Sequence, residues 1–353
     1  MILEISDMIN LIEQHFQASW GSQKVLTVGG IIGTSLFKHA IHACMRTYEF
    51  NNILVVDGCQ DYIGLLRNPV YNYIFYADLF YSVEIPTIDQ IQRPLYRSIL
   101  EPRPCYQMIL NPTKLQGYSA LIINNAHLIP KSYVNAICNE FGGKVLLIVD
   151  PLDLLGEQYF GQIPTLYDSL TKQSTIHAFA RSIYGIDSRA IDRKIKCDFK
   201  SVKIQRRSIG KIDGNQYVTN SESILQIIRD KQLQSPFRRN QKMIAAHSHV
   251  IFSMDQDGKP CAIGPHTMFS ISTVGRPLMK LRIHSSASTI YAGISYLNEK
   301  RGLHVKPANI ISLEEAVHHR FQSVVLILGE EPMNTRMWYS LLRNVNTLMV
   351  ARY

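Results

Sequence analysis

Short apolar runs separated by helical stretches constrain this chain more than any other feature. Lys24-Val-Leu-Thr-Val28, Asn52-Ile-Leu-Val-Val56, Ala120-Leu-Ile-Ile123 and Lys144-Val-Leu-Leu-Ile-Val149 each read as a buried strand. The second run ends at Asp57 and the fourth at Asp150. Helical stretches, Thr34 to Arg46 and Ser132 to Phe141, lie between them. Strands apolar on both faces need helices on both faces, and strands alternating with helices form a parallel sheet. The pattern returns near the end, with Ser323-Val-Val-Leu-Ile-Leu328, a helical Met337–Leu342, and Thr347-Leu-Met-Val-Ala351. The sequence therefore predicts an α/β chain with two such units and a boundary near residues 170–190.

Length and composition agree with that reading. A chain of 353 residues holds two or three domains. With 46% hydrophobic and 18% charged residues it can fill a core and is neither disordered nor a coiled coil. The net charge of +9 favours a polyanionic partner. Cys44, Cys59, Cys105, Cys138, Cys197 and Cys261 contain no C-x-x-C pair, which excludes zinc ribbons and fits a reducing compartment. No apolar run is long enough to span a bilayer, and the acidic start does not read as a signal peptide.

Several segments invite a closer reading. Ile5, Ile9, Ile12 and Phe16 fall on one helical face, predicting an amphipathic helix within residues 1–20 that packs on the following domain. Residues 58–115, rich in Tyr and Pro, read as an insertion or an irregular connection. Between Arg189 and Lys211 nine basic residues, among them Lys200, Lys203, Arg206, Arg207 and Lys211, face only Asp192 and Asp198. A solvated face and a polyanion-binding stripe both fit that run. Ser235-Pro-Phe-Arg-Arg-Asn-Gln241 sets an aromatic beside Arg238 and Arg239, as single-strand binders do, and equally suits a surface loop. The Tyr71–Tyr81 run offers rings for stacking or for a core. None of the histidines has companions at ligand spacing, so no metal site is expected, and there is no G-x-S-x-G elbow.

The order of weaker motifs carries more than any one of them. Thr27-Val-Gly-Gly-Ile-Ile-Gly-Thr-Ser-Leu-Phe-Lys38 resembles a Walker A loop. Ile122-Ile-Asn-Asn-Ala-His127 resembles a Walker B of the Asp-Glu-Ala-His type, and Val149-Asp-Pro-Leu-Asp153 the Gly-Asp-Pro-x-Gln motif that follows it. Ser312-Leu-Glu-Glu-Ala316 with Phe321 and Val324 lines up with motif V, and Ser340-Leu-Leu-Arg343 with motif VI. From Val25 to Val350 the chain thus resembles a superfamily 1 helicase core, closest to those of positive-strand RNA viruses, including triple-gene-block movement helicases.

That resemblance implies an α/β fold of two RecA-like domains, over 21–180 and 181–353, each a mainly parallel sheet flanked by helices. It also implies nucleotide held between them by Gly29, Gly30, Gly33, Thr34, Ser35, Arg181 and Arg343, and motif V contributions from Ser312, Glu315 and Ala316. The chemical positions are changed, however. Leu36 and Phe37 stand where the Walker A Lys and its Mg²⁺-holding Ser/Thr belong, and Lys38 comes half a turn late. Asn124 and Asn125 replace the two Walker B acids, and an amide is neither a base nor a counter-charge for Mg²⁺. Asp153 stands at the γ-phosphate-sensing Gln, two residues after the Pro that follows Asp150. The expectation is a catalytically inactive, helicase-like viral protein without ATP or Mg²⁺, residing in host-cell cytoplasm. It would bind single-stranded RNA or replication and movement proteins, and reach membranes only through partners. An active but diverged helicase using ATP and Mg²⁺, and a protein-binding scaffold with little nucleic-acid affinity, remain as alternatives.

Overall fold

The computed structural model describes residues 2–19, 22–30, 36–59, 72–85, 105–159, 163–166, 203–204, 216–245, 251–254, 260–275, 277–284, 289–302, 304–330 and 332–352. The chain opens with β1 (Ile2–Leu3), α1 (Ile5–Gln17), β2 (Val25–Gly30), α2 (Leu36–Met45), β3 (Ile53–Asp57) and β4 (Asn72–Phe75). A hairpin of β5 (Phe80–Ile85) and β6 (Cys105–Leu110) comes next. Then follow β7 (Ala120–Asn124), α3 (Lys131–Glu140), β8 (Lys144–Val149), β9 (Thr165–Leu166), β10 (Lys203–Ile204), β11 (Gln216–Thr219) and α4 (Glu222–Leu233). Six strands run from β12 (Lys242–Ala245) through β13 (Ile251–Met254), β14 (Pro260–Ile263), β15 (Met268–Thr273) and β16 (Leu278–Ile283) to β17 (Thr289–Gly293). The remainder is α5 (Ile294–Lys300), β18 (Val305–Pro307), β19 (Ile310–Ser312), α6 (Leu313–Ala316), β20 (Phe321–Leu328), α7 (Thr335–Arg343) and β21 (Val345–Arg352).

These elements form two compact units. The first comprises 1–76, 115–235 and 308–353; the second, 77–114 and 236–307. The first unit holds two sheets in which every pairing is parallel. One has the order β1-β9-β2-β8-β7-β3-β4, the other β10-β21-β20-β11-β19. This is the expected α/β class, and the strands are as buried as the apolar runs require: all five residues of β3 and of β7 are buried. α1 and α2 cover the first sheet. Met8, Ile12 and Phe16 of α1 and Leu36, Ala40, Ile41 and Cys44 of α2 meet Val55, Ile122 and Leu146 in one cluster, with Ile5 and Ile9 packed at its margin. The His15 ring reaches the Val145 carbonyl at 3.0 Å, tying α1 to β8.

The second unit departs from the sequence reading. The resemblance implies a mainly parallel sheet over 181–353. Instead, β12–β18 make an antiparallel seven-stranded sheet, β14-β13-β17-β16-β15-β12-β18, separate from β11, β20 and β21. Its strands alternate inward and outward residues, the pattern of a sheet with one solvated face, as in the Leu278–Ile283 strand. The β5–β6 hairpin belongs to the same unit, so 58–115 is only partly an irregular connection: β4 joins the first parallel sheet and the hairpin does not. Among the described residues no helix is long and apolar enough to cross a membrane.

Because Ile12 is fully buried between helix and sheet, Ile12→Ala is expected to destabilise the chain by about 2–5 kcal/mol. Chemical denaturation measures this. A loss well under 1 kcal/mol would mean that α1 is a detachable, partner-binding helix.

Candidate functional site: a buried ion pair between two parallel sheets

In parallel α/β sheets the chemistry collects at the carboxyl ends of the strands. Here β3 ends at Asp57 and β7 at Asn124, and the register sets those two residues side by side. β8 ends just before Asp150. Asp57 is fully buried, and its carboxylate accepts four hydrogen bonds. Asn124 Nδ2 donates to Oδ2 at 2.7 Å, Asn125 Nδ2 to Oδ1 at 3.0 Å, and the Cys59 backbone N–H to Oδ1 at 2.7 Å. The Tyr73 hydroxyl donates to Oδ2 as well. Burial raises the Asp57 carboxyl above its ordinary pKa, and the donors from Tyr73, Asn125, Cys59 and Asn124 oppose the rise.

Asn125 has a second partner. It sits at φ 50°, a left-handed conformation that Asn tolerates better than most residues. Its amide nitrogen faces Asp57, and its Oδ1 accepts from Arg343 Nη2. Arg343, the last residue of α7 on the other parallel sheet, also donates through Nη1 to Asp153 Oδ2 at 2.8 Å. Its Nη1 lies 3.6 Å from Asp150 Oδ2. The arginine side chain is only 10% exposed and Asp153 not at all. Burial disfavours the guanidinium charge, but Asp150 and Asp153 outweigh it and hold Arg343 above its ordinary pKa. Tyr339 completes the set, donating its hydroxyl to Asp150 Oδ2 at 2.7 Å.

His127 lies inside this network and is neutral. Burial, then the nearby Arg343 charge, depress its pKa well below the usual imidazole value. The Asp150 N–H points at Nδ1 (3.1 Å) and Arg343 Nη1 at Nε2 (2.8 Å). Both groups are donors, and a neutral ring has one lone pair to offer, so it serves one of them at a time. Further contacts hold α7 on the turn after β8. The Leu154 N–H donates to Ser340 Oγ at 2.6 Å, and Arg336 reaches the Pro151 and Asp153 carbonyls at 3.5 and 3.4 Å.

The remaining motif positions have structural partners. Gly29 and Gly30 are not a loop: they end β2 and pair with β9. A Cβ on Gly29 would lie 2.5 Å from Thr165 Oγ1, so close strand approach alone demands that glycine. Leu36 is 1% exposed and belongs to the core, Phe37 packs against the same cluster, and Lys38 is exposed. Ser312 and Glu315 form a capping box at the start of α6, and Glu315 pairs with the buried Arg229 at 2.7 Å. Ala316 is buried beneath that turn. Glu315 therefore fastens α6 to α4.

Gly33, Thr34, Ser35, Arg181, Lys200, Arg206, Arg207 and Lys211 lie outside the described residues, and Lys203 enters only as the first residue of β10. Arg238 and Arg239 are exposed in the second unit, but the neighbouring Phe237 is not free for stacking: it packs on that unit's core, with Arg301 4.2 Å above its ring. In the Tyr-rich run, Tyr73 is held by Asp57 and Tyr76 is buried against Phe75 and Tyr133. No group of His, Cys, Asp and Glu among the described residues is placed to hold a metal ion. Sequence reasoning brought Asn124, Asn125, Asp150, Asp153 and Arg343 to this place. It missed Asp57 as their partner, and it gave Tyr339 no role at all.

No family model and no curated protein sequence matches the chain. Solved structures do match. The Pif1 helicase from Bacteroides in complex with ADP-AlF3 and ssDNA aligns over 98% of this chain and 91% of its own, at 10% identity and TM-score 0.52. Bacteroides Pif1 bound to ssDNA aligns over the same shares at 10% identity and TM-score 0.51. A structure of two coordinating Pif1 helicases at forked dsDNA gives 98%, 90%, 10% and 0.52. The chain therefore shares its α/β, RecA-like fold with these structures.

Burial pushes the Asp150 carboxyl up to about 6, with Arg343 pulling it down and Asp153 adding to the rise. A carboxyl that holds its proton better folded than unfolded stabilises the fold at low pH. That contribution is complete below about pH 4 and is lost as pH climbs through about 6. Asp150→Asn removes the loss, so its melting temperature relative to the wild type should climb between about pH 5 and about pH 7.5. A pH-independent difference contradicts the assignment.

Proposed function

We propose that this chain is a catalytically inactive, viral superfamily 1 helicase-like protein that binds single-stranded RNA or protein partners in replication or movement. One observation carries the inactivity: the arginine that motif VI would aim at a γ-phosphate is already held by Asp153, Asn125 and Asp150. A carboxylate at position 153 supplies the anion that a nucleotide would otherwise bring. The cation that would clamp the phosphates is absent too, because Leu36 at the Walker A position is buried in the core. Loss of one charge group that acts in the transition state slows an enzyme about 10²–10³-fold, and here three positions are changed together.

The amides at 124 and 125 fit the same reading. Each donates to Asp57, and Asn125 also accepts from Arg343. A carboxylate at either place would face the buried Asp57 carboxylate within hydrogen-bond distance. The nucleic-acid half of the proposal is supported by the fold shared with Pif1 structures that contain ssDNA, and by the net charge of +9. The viral setting is supported by the motif order from Gly29 to Arg343.

Purified protein with Mg²⁺ and ATP, with or without single-stranded RNA, is expected to show no hydrolysis above background. The double change Asn124→Asp with Asn125→Glu, which restores the Walker B acids in name, should destabilise the chain by about 1–3 kcal/mol without creating turnover. Robust hydrolysis by the wild type, abolished in Arg343→Ala, would overturn the proposal.

A further inference from the structure

The antiparallel sheet of the second unit carries a charge pattern that its own packing does not use. Residues 236–307 contain ten Lys and Arg against three Asp and Glu. One face of the sheet is core, with Met243, Phe269, Ile271, Met279, Leu281 and Ala292 buried together. On the opposite face the strand register lines up Lys242, Ser270, Arg282 and Thr289 across β12, β15, β16 and β17. Beside that row, Lys280 is flanked by Thr273 on one side and Tyr291 on the other.

Among the described residues, Lys242, Lys280 and Arg282 make no salt bridge or side-chain hydrogen bond. Arg282 is exposed, and Lys242, Lys280 and Tyr291 are half-buried. Lys280 and Arg282 share one face of one strand, about 7 Å apart. Like charges so placed repel, at a cost of a few tenths of a kcal/mol. Lysines on edge strands are explained by protection against edge-to-edge pairing. That explanation does not reach β16, the fourth of seven strands.

We infer that this face binds the sugar–phosphate backbone of a single-stranded nucleic acid, with Lys242, Lys280 and Arg282 on phosphates and Tyr291 under a base. Three features select this ligand. The cations are interleaved with an aromatic ring, the combination that holds single strands without reading sequence. Thr273 and Thr289 supply hydroxyl donors in the same rows, while Ser270 Oγ is paired with His284 Nε2 at 2.6 Å. Large apolar side chains that could enter a bilayer are scarce there, Leu278 being an exposed one.

The inference rests on the nucleic-acid-binding reading above, and one experiment separates the two. Binding of a fluorescent oligouridylate to the full chain is measured against salt concentration. The double variant Lys280→Gln with Arg282→Gln should lose about tenfold or more in affinity near physiological salt, and its log–log salt slope should fall by about 1.4, or 0.7 per lost phosphate contact. Tyr291→Ala should lose about tenfold with the slope unchanged. Lys280→Arg should bind as the wild type does. Equal melting temperatures for all variants show that the fold is intact. If the wild type binds and the double variant matches it in affinity and slope, the strand lies elsewhere and this inference alone falls. If the wild type does not bind, the nucleic-acid reading falls with it. Displacement by polyglutamate as effectively as by unlabelled RNA would instead assign the face to an acidic protein and overturn the inference.

Discussion

A guanidinium leaves water only if anions and acceptors meet it inside the protein, and the arrangement around Arg343 follows from that constraint. Its charge is matched by Asp153 and Asp150 on the turn after β8, and its Nη2 donates to the Asn125 amide oxygen. Those acceptors belong to one parallel sheet and the arginine to the helix of the other. The pair therefore fastens the two parallel sheets to each other. Such pairs add little net stability over apolar packing, but removing one member leaves a stranded charge and costs about 3–5 kcal/mol. The site is thus structural in its energetics.

The same constraint runs on to Asp57. A buried carboxylate without a cation survives only when its lone pairs are occupied, and four donors occupy them. Asn125 links the two centres, because an amide can donate to Asp57 and accept from Arg343 at once. A carboxylate can do only the second. The amides at 124 and 125 therefore match the buried Asp57 of the neighbouring strand, to which both donate.

The parallel sheets were legible because Val25–Val28, Ile53–Val56, Ala120–Ile123 and Val145–Val149 are continuous apolar runs. Arg343, Asp150, Asp153 and Asn125 were legible through motif order. Asp57 was visible as a strand end, but its role depends on the β3–β7 register, which no local pattern encodes. The antiparallel unit was missed for a related reason. Its strands are joined to a hairpin more than a hundred residues upstream, and motifs V and VI beyond it suggested one continuous domain. The alternation in Leu278–Ile283 and Thr289–Gly293 was the available signal.

A double-mutant cycle between Arg343→Ala and Asp153→Ala tests the central claim most directly, with unfolding free energies measured for the wild type, both single variants and the double variant. If the pair fastens the two sheets, each single change is costly, and the double change costs less than their sum by about 2 kcal/mol or more. Costs that add to within about 0.5 kcal/mol would mean that Arg343 and Asp153 are energetically independent, and would contradict the account.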